Sequence, residues 1–432
     1  MVSATNVMSN AFGASSLPPI PTVNSGDTAW VLTCGVLVLM MTVPGLVLFY
    51  GGMVRRKDVL AIMMQSFVIC AAVSITWMVV GYSLAFSPGS PWIGGLSAAW
   101  LGNLANGWNK PFVLGAGAAG AVPMAIPQSV FVFFQMTFAI ITPAVITGAF
   151  ADRLKFRALL LLVVGWTLVV YAPVAHWVWS PQGWLHQLGI ADYAGGTVVE
   201  INAGVAGLVC ALYLGRRVGY GRDAMLPWNA SYAVIGACLL WVGWLGFNSG
   251  AAGGANGNSG MAVLVTQLAA AAGALSWVAV EWIHTRKLTV LGPLTGAVTG
   301  MVAITPAAGF VLPAAAVGIG LATGVVCYWA IKVAKVRLGY DDSLDAFGVH
   351  GVGGMIGVLA TGLCAYGPLS NGVVRGGVRQ LAIQSVGMLA TIVFCAVMTL
   401  ILLKLVDLAV GLRVTRAQEV EGLDEALLGA TL

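Results

Sequence analysis

Apolar stretches of 18 or more residues recur along this chain from about residue 28 to residue 406, with basic residues clustered between them. A helical stretch of that length matches the roughly 30 Å hydrocarbon thickness of a bilayer. The pattern therefore demands a polytopic helical membrane protein in a lipid bilayer, an all-α fold. A β-barrel would instead show alternating segments of about 10 residues. Composition agrees, because charged residues are 8% of this chain and about a quarter of an average soluble one.

Eleven spans are predicted: 27–50, 59–86, 126–149, 158–177, 195–214, 229–249, 261–282, 288–304, 313–331, 346–365 and 380–406. Their charges set the orientation. Arg55, Arg56 and Lys57 follow the first span; Arg153, Lys155 and Arg157 the third; Arg216, Arg217 and Arg222 the fifth. Arg286 and Lys287 follow the seventh, and Lys332, Lys335 and Arg337 the ninth. Lys404, Arg413 and Arg416 end the chain. The opposite loops hold only Lys110, Arg375 and Arg379. Basic loops face inward, so the N-terminus is expected outside and the C-terminus inside. The net charge of +5 follows from this topology and does not indicate a nucleic-acid partner.

The expected organisation is an outer segment 1–26, a membrane domain 27–410 and an inner tail 411–432. Residues 1–26 lack the basic and apolar regions of a signal peptide, so the first span is expected to direct insertion. The tail reads as soluble. The seven cysteines all fall in predicted spans without a CxxC pair and read as buried thiols rather than disulfides or metal ligands.

Two titratable residues interrupt the apolar runs. Glu200 lies in Gly195-Gly196-Thr197-Val198-Val199-Glu200, and His350 in Phe347-Gly348-Val349-His350-Gly351. An acidic side chain at the centre of a membrane helix costs roughly 2.5–3.5 kcal/mol on insertion scales and needs a partner. His350 is the partner predicted for Glu200. The pair reads as a relay for a proton or small cation, or as a buried contact that fixes helix register.

The surroundings of the two residues are alike. Asp192 precedes a glycine pair and Glu200; Asp345 precedes Gly348 and His350. Five spans per half is an odd number, so the halves insert with opposite topology. The expectation is a 5+5 inverted repeat plus one extra helix, with a site near the midplane. Aromatic residues at helical spacing, Phe134 with Phe138 and Trp244 with Phe247, together with Trp179, read either as packing or as faces for a desolvated cation. Asp192 has the chemistry of a helix N-cap and could add negative potential to a cation site. His176 reads as an interfacial structural residue. No P-loop, HExxH or GxSxG pattern occurs in a plausible context, and nothing calls for a cofactor, a resident metal or an enzymatic activity.

Four ordered motifs carry a family resemblance. They are Pro44-Gly45-Leu46-Val47-Leu48-Phe49-Tyr50-Gly51-Gly52, Asp192-Tyr193-Ala194-Gly195-Gly196-Thr197, Gly243-Trp244-Leu245-Gly246-Phe247-Asn248, and Asp345-Ala346-Phe347-Gly348-Val349-His350. With Glu421-Gly422-Leu423-Asp424 in the tail, the chain resembles ammonium transporters of the Amt/Mep/Rh family, on the Amt/Mep side. The resemblance implies a homotrimer in the cell membrane with one pore per subunit. It implies an outer ammonium site at Trp179 and Phe138, supported by Asp192, with Phe134 and Ala251 beside it. Phe138 and Phe247 would close the pore, next to Trp244. Glu200 and His350 would relay the proton while ammonia passes.

The chain departs from the family pattern in three places. Glu200 stands where the family usually has histidine. Ala251 stands where a serine often binds the outer ammonium. The end of the tail, Leu427-Leu428-Gly429-Ala430, differs from the His-Gly-Glu of many members, which bears on binding of a PII-type protein at the inner loops and tail. A sensor that scarcely transports and a passive Rh-like gas channel are the alternatives.

Overall fold

The computed structural model describes residues 21–116, 120–430 and 432, so most of the expected 1–26 segment lies outside the described residues. Ten of the described helices are long and apolar enough to cross a membrane, and a shorter apolar one, Leu291–Ile304, packs among them. We number them α1 (Ser25–Met53), α2 (Arg56–Phe86), α3 (Gln128–Ala149), α4 (Phe156–Leu188), α5 (Gly196–Leu214) and α6 (Ala230–Gly250). There follow α7 (Gly257–Thr285), α8 (Leu291–Ile304), α9 (Pro313–Leu338), α10 (Phe347–Cys364) and α11 (Val378–Val410). Each predicted span falls on one of these, and the count of eleven depends on the 14-residue α8. The tail adds α12 (Arg416–Glu421) and α13 (Leu423–Leu428).

Local chemistry sets several helix starts. Asn24, Asn229 and Asn256 accept from the backbone N–H groups of Asp27, Tyr232 and Ser259 at 3.0, 3.2 and 3.1 Å. Thr415 and Gln418 form a capping box at α12. The outer segment between α2 and α3 contains an antiparallel pair, β1 (Pro111–Leu114) and β2 (Val122–Pro127), with Phe112 opposite Met124.

Large apolar side chains point both ways. Trp77, Trp166 and Trp277 are fully buried, whereas Val36, Phe67, Ile75, Leu275 and Val393 stand exposed on the bundle's outer surface. Lipid, not water, suits that surface. Of the cysteines, Cys34, Cys210, Cys327 and Cys395 are buried, but Cys238 and Cys364 are exposed. That corrects the expectation of buried thiols: a span position can face lipid, which is as apolar as the core.

The halves α1–α5 and α6–α10 form an inverted repeat. Each of α5 and α10 opens with a π turn, at Gly196–Ile201 and Phe347–Gly351. The π turns at Thr167–Tyr171 in α4 and Ala330–Ala334 in α9 correspond in the same way. The two site helices run antiparallel past one another, Gly196 and Glu200 beside Gly354, and Gly207 beside Ala346. That overlap of 11 residues spans only about 16 Å. It is shorter than the hydrocarbon core, so both helices begin at membrane depth, where surrounding protein covers the irregular backbone.

The basic loops converge at one end, the inner end by their charge. Arg153 is fully buried there; it donates to the Gly215, Ala149 and Asp341 carbonyls at 2.5, 2.5 and 2.9 Å and pairs with the Asp341 carboxylate at 3.4 Å. The tail packs on this end. Asp424 accepts from the N–H groups of Leu60 and Ala61 at 3.0 and 2.8 Å, and Asp58 accepts from Leu423 N–H at 2.9 Å. Glu419 accepts from Val218 N–H at 2.6 Å and pairs with Arg413 at 2.8 Å.

Candidate functional site

The two buried titratable side chains meet. His350 Nδ1 lies 2.7 Å from Glu200 Oε2, with Glu200 1% and His350 8% exposed. An ionised carboxylate only accepts, so with Glu200 ionised the ring donates from Nδ1, and Nε2 is an acceptor when the ring is neutral and a donor when it is charged. The π turns aim both side chains at this junction. In the first, Glu200 N–H bonds back five residues to Gly195 O at 3.0 Å, which widens the turn around its side chain.

Each π turn hangs from a buried aspartate eight residues before its titratable residue. Asp192 accepts from the N–H groups of Gly195, Gly196 and Thr197 at 2.8, 2.6 and 2.7 Å, and from the Thr197 hydroxyl. Asp342 accepts from Ala346 and Phe347 N–H at 3.0 and 2.8 Å. Asp342, not Asp345, is thus the counterpart of Asp192, which corrects the sequence pairing. Asp345 turns away with φ 63° and pairs with Lys335 at 2.5 Å. Asp192 acts as the expected cap. Gly195, at φ +116°, supplies the left-handed turn that lets the chain enter α5.

Outside the pair stands a column of rings. Phe138 and Phe247 are 4.2 Å apart between centroids, tilted by 36°. Phe134 and Trp179 meet Phe138 edge-on at 4.9 and 5.7 Å. Trp244 lies 5.5 Å from Phe247 and stacks on the His350 ring at 6.5 Å and 13°. All the sequence-predicted rings therefore belong to one cluster that leads to His350. Trp179 donates to Asp192 O at 3.0 Å. Trp244 donates to the Thr305 hydroxyl at 2.8 Å, which in turn donates to Met301 O at 2.8 Å. The sequence reading missed Thr305, whose only signal is a hydroxyl just past the apolar end of α8.

Ala251 is the half-buried residue just past the end of α6. Ser249 does not replace the missing hydroxyl: it is fully buried, 3.5 Å from Cys34 Sγ. His176 is buried with both ring nitrogens 2.9 Å from carbonyl oxygens, of Ala85 and Ser90, and holds the outer loop.

At the inner end, beneath α10, the electrostatics differ between adjacent aspartates. Burial alone would raise the Asp341 carboxyl; the Arg217 guanidinium, 2.8 Å away, overrides it and holds the group below the usual range. Burial pushes the Asp342 carboxyl up to about 6, against the pull of Lys335.

An inverted repeat whose two π-opened helices pass at a buried carboxylate–imidazole contact, with a column of rings beside it, defines a polytopic helical membrane protein. The sequence profile of the Ammonium Transporter Family matches residues 29–431, and the chain belongs to that family. It is 47% identical to the ammonium transporter of Bacillus subtilis over 94% of this chain and 97% of that one. It is 43% identical to the ammonium transporter of Aquifex aeolicus over 94% and 93%. Among solved structures, Saccharomyces cerevisiae Mep2 superposes with a TM-score of 0.82 at 34% identity, covering 91% of this chain and 88% of that chain. A structure described as a sensor Amt protein gives 0.84 at 28% identity, covering 93% and 98%.

Proposed function

We propose that this protein carries ammonium across the cell membrane, with Glu200 and His350 as its proton-handling pair. The 2.7 Å contact between two buried titratable groups at the crossing of α5 and α10 carries the reading. Ammonium is recruited at the outer mouth by the faces of Trp179 and Phe138, each ring attracting a desolvated cation by about 0.5–2 kcal/mol. Phe134 and Ala251 border that mouth, and Asp192 supports it through α5. Ammonium gives up one proton and passes as ammonia between Phe138 and Phe247, beside Trp244. The proton moves separately, shared across the 2.7 Å contact between the Glu200 carboxylate and the His350 imidazole. A carboxylate in place of a second imidazole adds a negative charge that attracts a cation or an imidazolium, so the pH dependence differs from that of a histidine pair.

On the family resemblance we take the working unit to be a homotrimer, with the inner loops and tail as the surface open to a PII-type regulator. The likeness to a sensor Amt protein favours a second reading, in which ammonium binds and little passes. Solid-supported membrane electrophysiology on proteoliposomes, with ammonium pulses on the wild type, Glu200→His and Glu200→Ala, decides between them. Wild-type current with matching uptake supports transport; binding without current or uptake rejects it.

A further inference from the structure

A cavity of about 490 Å³ opens at the inner end between the loop after α5 and the tail. Arg216, Arg217 and Arg222 line it from the loop, and Arg413, Arg416 and Glu419 from the tail. Its charge is far from balanced. Arg217 is matched by Asp341 and Asp152 at 2.8 and 3.4 Å, and Arg413 by Glu419 at 2.8 Å. Arg216, Arg222 and Arg416 are exposed and make no ion pair among the described residues. Arg216 is held in place, donating to Gly339 O at 2.8 Å and resting over the Tyr220 ring.

Like charges gathered around a concave wall repel one another unless an anion sits among them. Guanidinium forks match phosphate oxygens with two parallel hydrogen bonds, and one monovalent anion would leave most of this charge unmatched. The volume falls within the roughly 300–1,000 Å³ of small-molecule sites, large enough for several linked phosphates or a nucleotide. We propose that this cavity binds a multiply charged phosphate anion, and that the anion ties the tail to the loop after α5. Inorganic or nucleoside polyphosphate and the phosphate headgroup of a lipid share the required chemistry. Because the cavity has one wall on each segment, occupancy stabilises the docked tail beyond its contacts through Asp424 and Glu419.

The test uses the full-length protein. In one arm, lipid-stripped protein in neutral detergent is titrated with sodium tripolyphosphate by calorimetry, with hydrogen exchange read over residues 411–428. In the other, the protein sits in nanodiscs of phosphatidylcholine with or without phosphatidic acid, and the same exchange is read. Saturable tripolyphosphate binding that slows tail exchange, and weakens as salt screens it, is expected. The Arg222→Gln/Arg416→Gln variant should lose affinity by about tenfold or more per arginine and keep wild-type ammonium uptake. Protection by phosphatidic acid alone assigns the site to the headgroup. No binding or protection in either arm, or a variant that binds as tightly as the wild type, overturns the proposal.

Discussion

Gly204 of α5 and Gly351 of α10 touch backbone to backbone, four residues beyond Glu200 and one beyond His350. A Cβ on Gly204 would run into Gly351 N and Cα and come within 3.1 Å of His350 C. This approach, and not side-chain length, brings the carboxylate and imidazole together. Gly204→Ala is expected to cost about 1–3 kcal/mol, because the opposing atoms are backbone and cannot step aside. It should also cut ammonium current by separating the pair. Gly260→Ala in α7 meets nothing within 4 Å and should be neutral or slightly stabilising. Thermal melting of the detergent-solubilised variants reads both outcomes.

Glu200→Gln keeps the side chain's shape but cannot exchange a proton. Transport current should fall by about 100-fold, within the range of a positioned proton-transfer group. Glu200→His should retain current with a shifted pH profile. A Gln variant with wild-type current would remove Glu200 from the relay.

Removing His350 leaves the Glu200 carboxylate buried without its partner. His350→Ala should destabilise the fold by about 3–5 kcal/mol, whereas Glu200→Ala/His350→Ala, which removes both, should recover part of the loss. Melting temperatures of the single and double variants measure this coupling.

Phe247→Ala deletes a fully buried ring from the column and should cost about 3–5 kcal/mol of stability. The gap it opens toward His350 should admit larger cations. Potassium and methylammonium fluxes into proteoliposomes are expected to rise relative to the wild type. Unchanged selectivity would mean that Phe138 and Phe247 do not gate the path.

The raised Asp342 carboxyl makes a signed prediction about pH. Its folded form holds a proton up to about pH 6, where the unfolded chain has already lost it at the ordinary carboxyl value. Its contribution to stability is therefore complete below about pH 4 and declines as pH rises through 6. Asp341, held low by Arg217, works the other way and loses its contribution as pH falls below about 4. Asp342→Asn should flatten the melting-temperature profile between pH 4 and 6, and Asp341→Asn should flatten it below 4.

Much of this architecture was legible in the residues. Apolar length alone located the spans, and the cost of a lone carboxylate in one pointed to His350, 150 residues away. Three things were not legible. Cys238 and Cys364 face outward because lipid makes both faces of a span apolar, so residue type does not separate inside from outside. Asp342 rather than Asp345 caps α10 because the backbone at Asp345 turns left-handed, which residue order does not reveal. The docking of the tail depends on pairs such as Asp424 with Leu60 and Ala61, far apart in sequence and joined through backbone groups of no distinctive type.

Asp192 commits both carboxylate oxygens to the first turn of α5, so it has little left with which to grip a passing ion directly. Its influence on one is indirect. A helix start carries about half a positive charge, and at a mouth meant for a cation that charge would act as a barrier. By cancelling it, Asp192 serves as a counterweight: on the transport reading, a cation arriving at Trp179 and Phe138 is spared a repulsion of the backbone's own making.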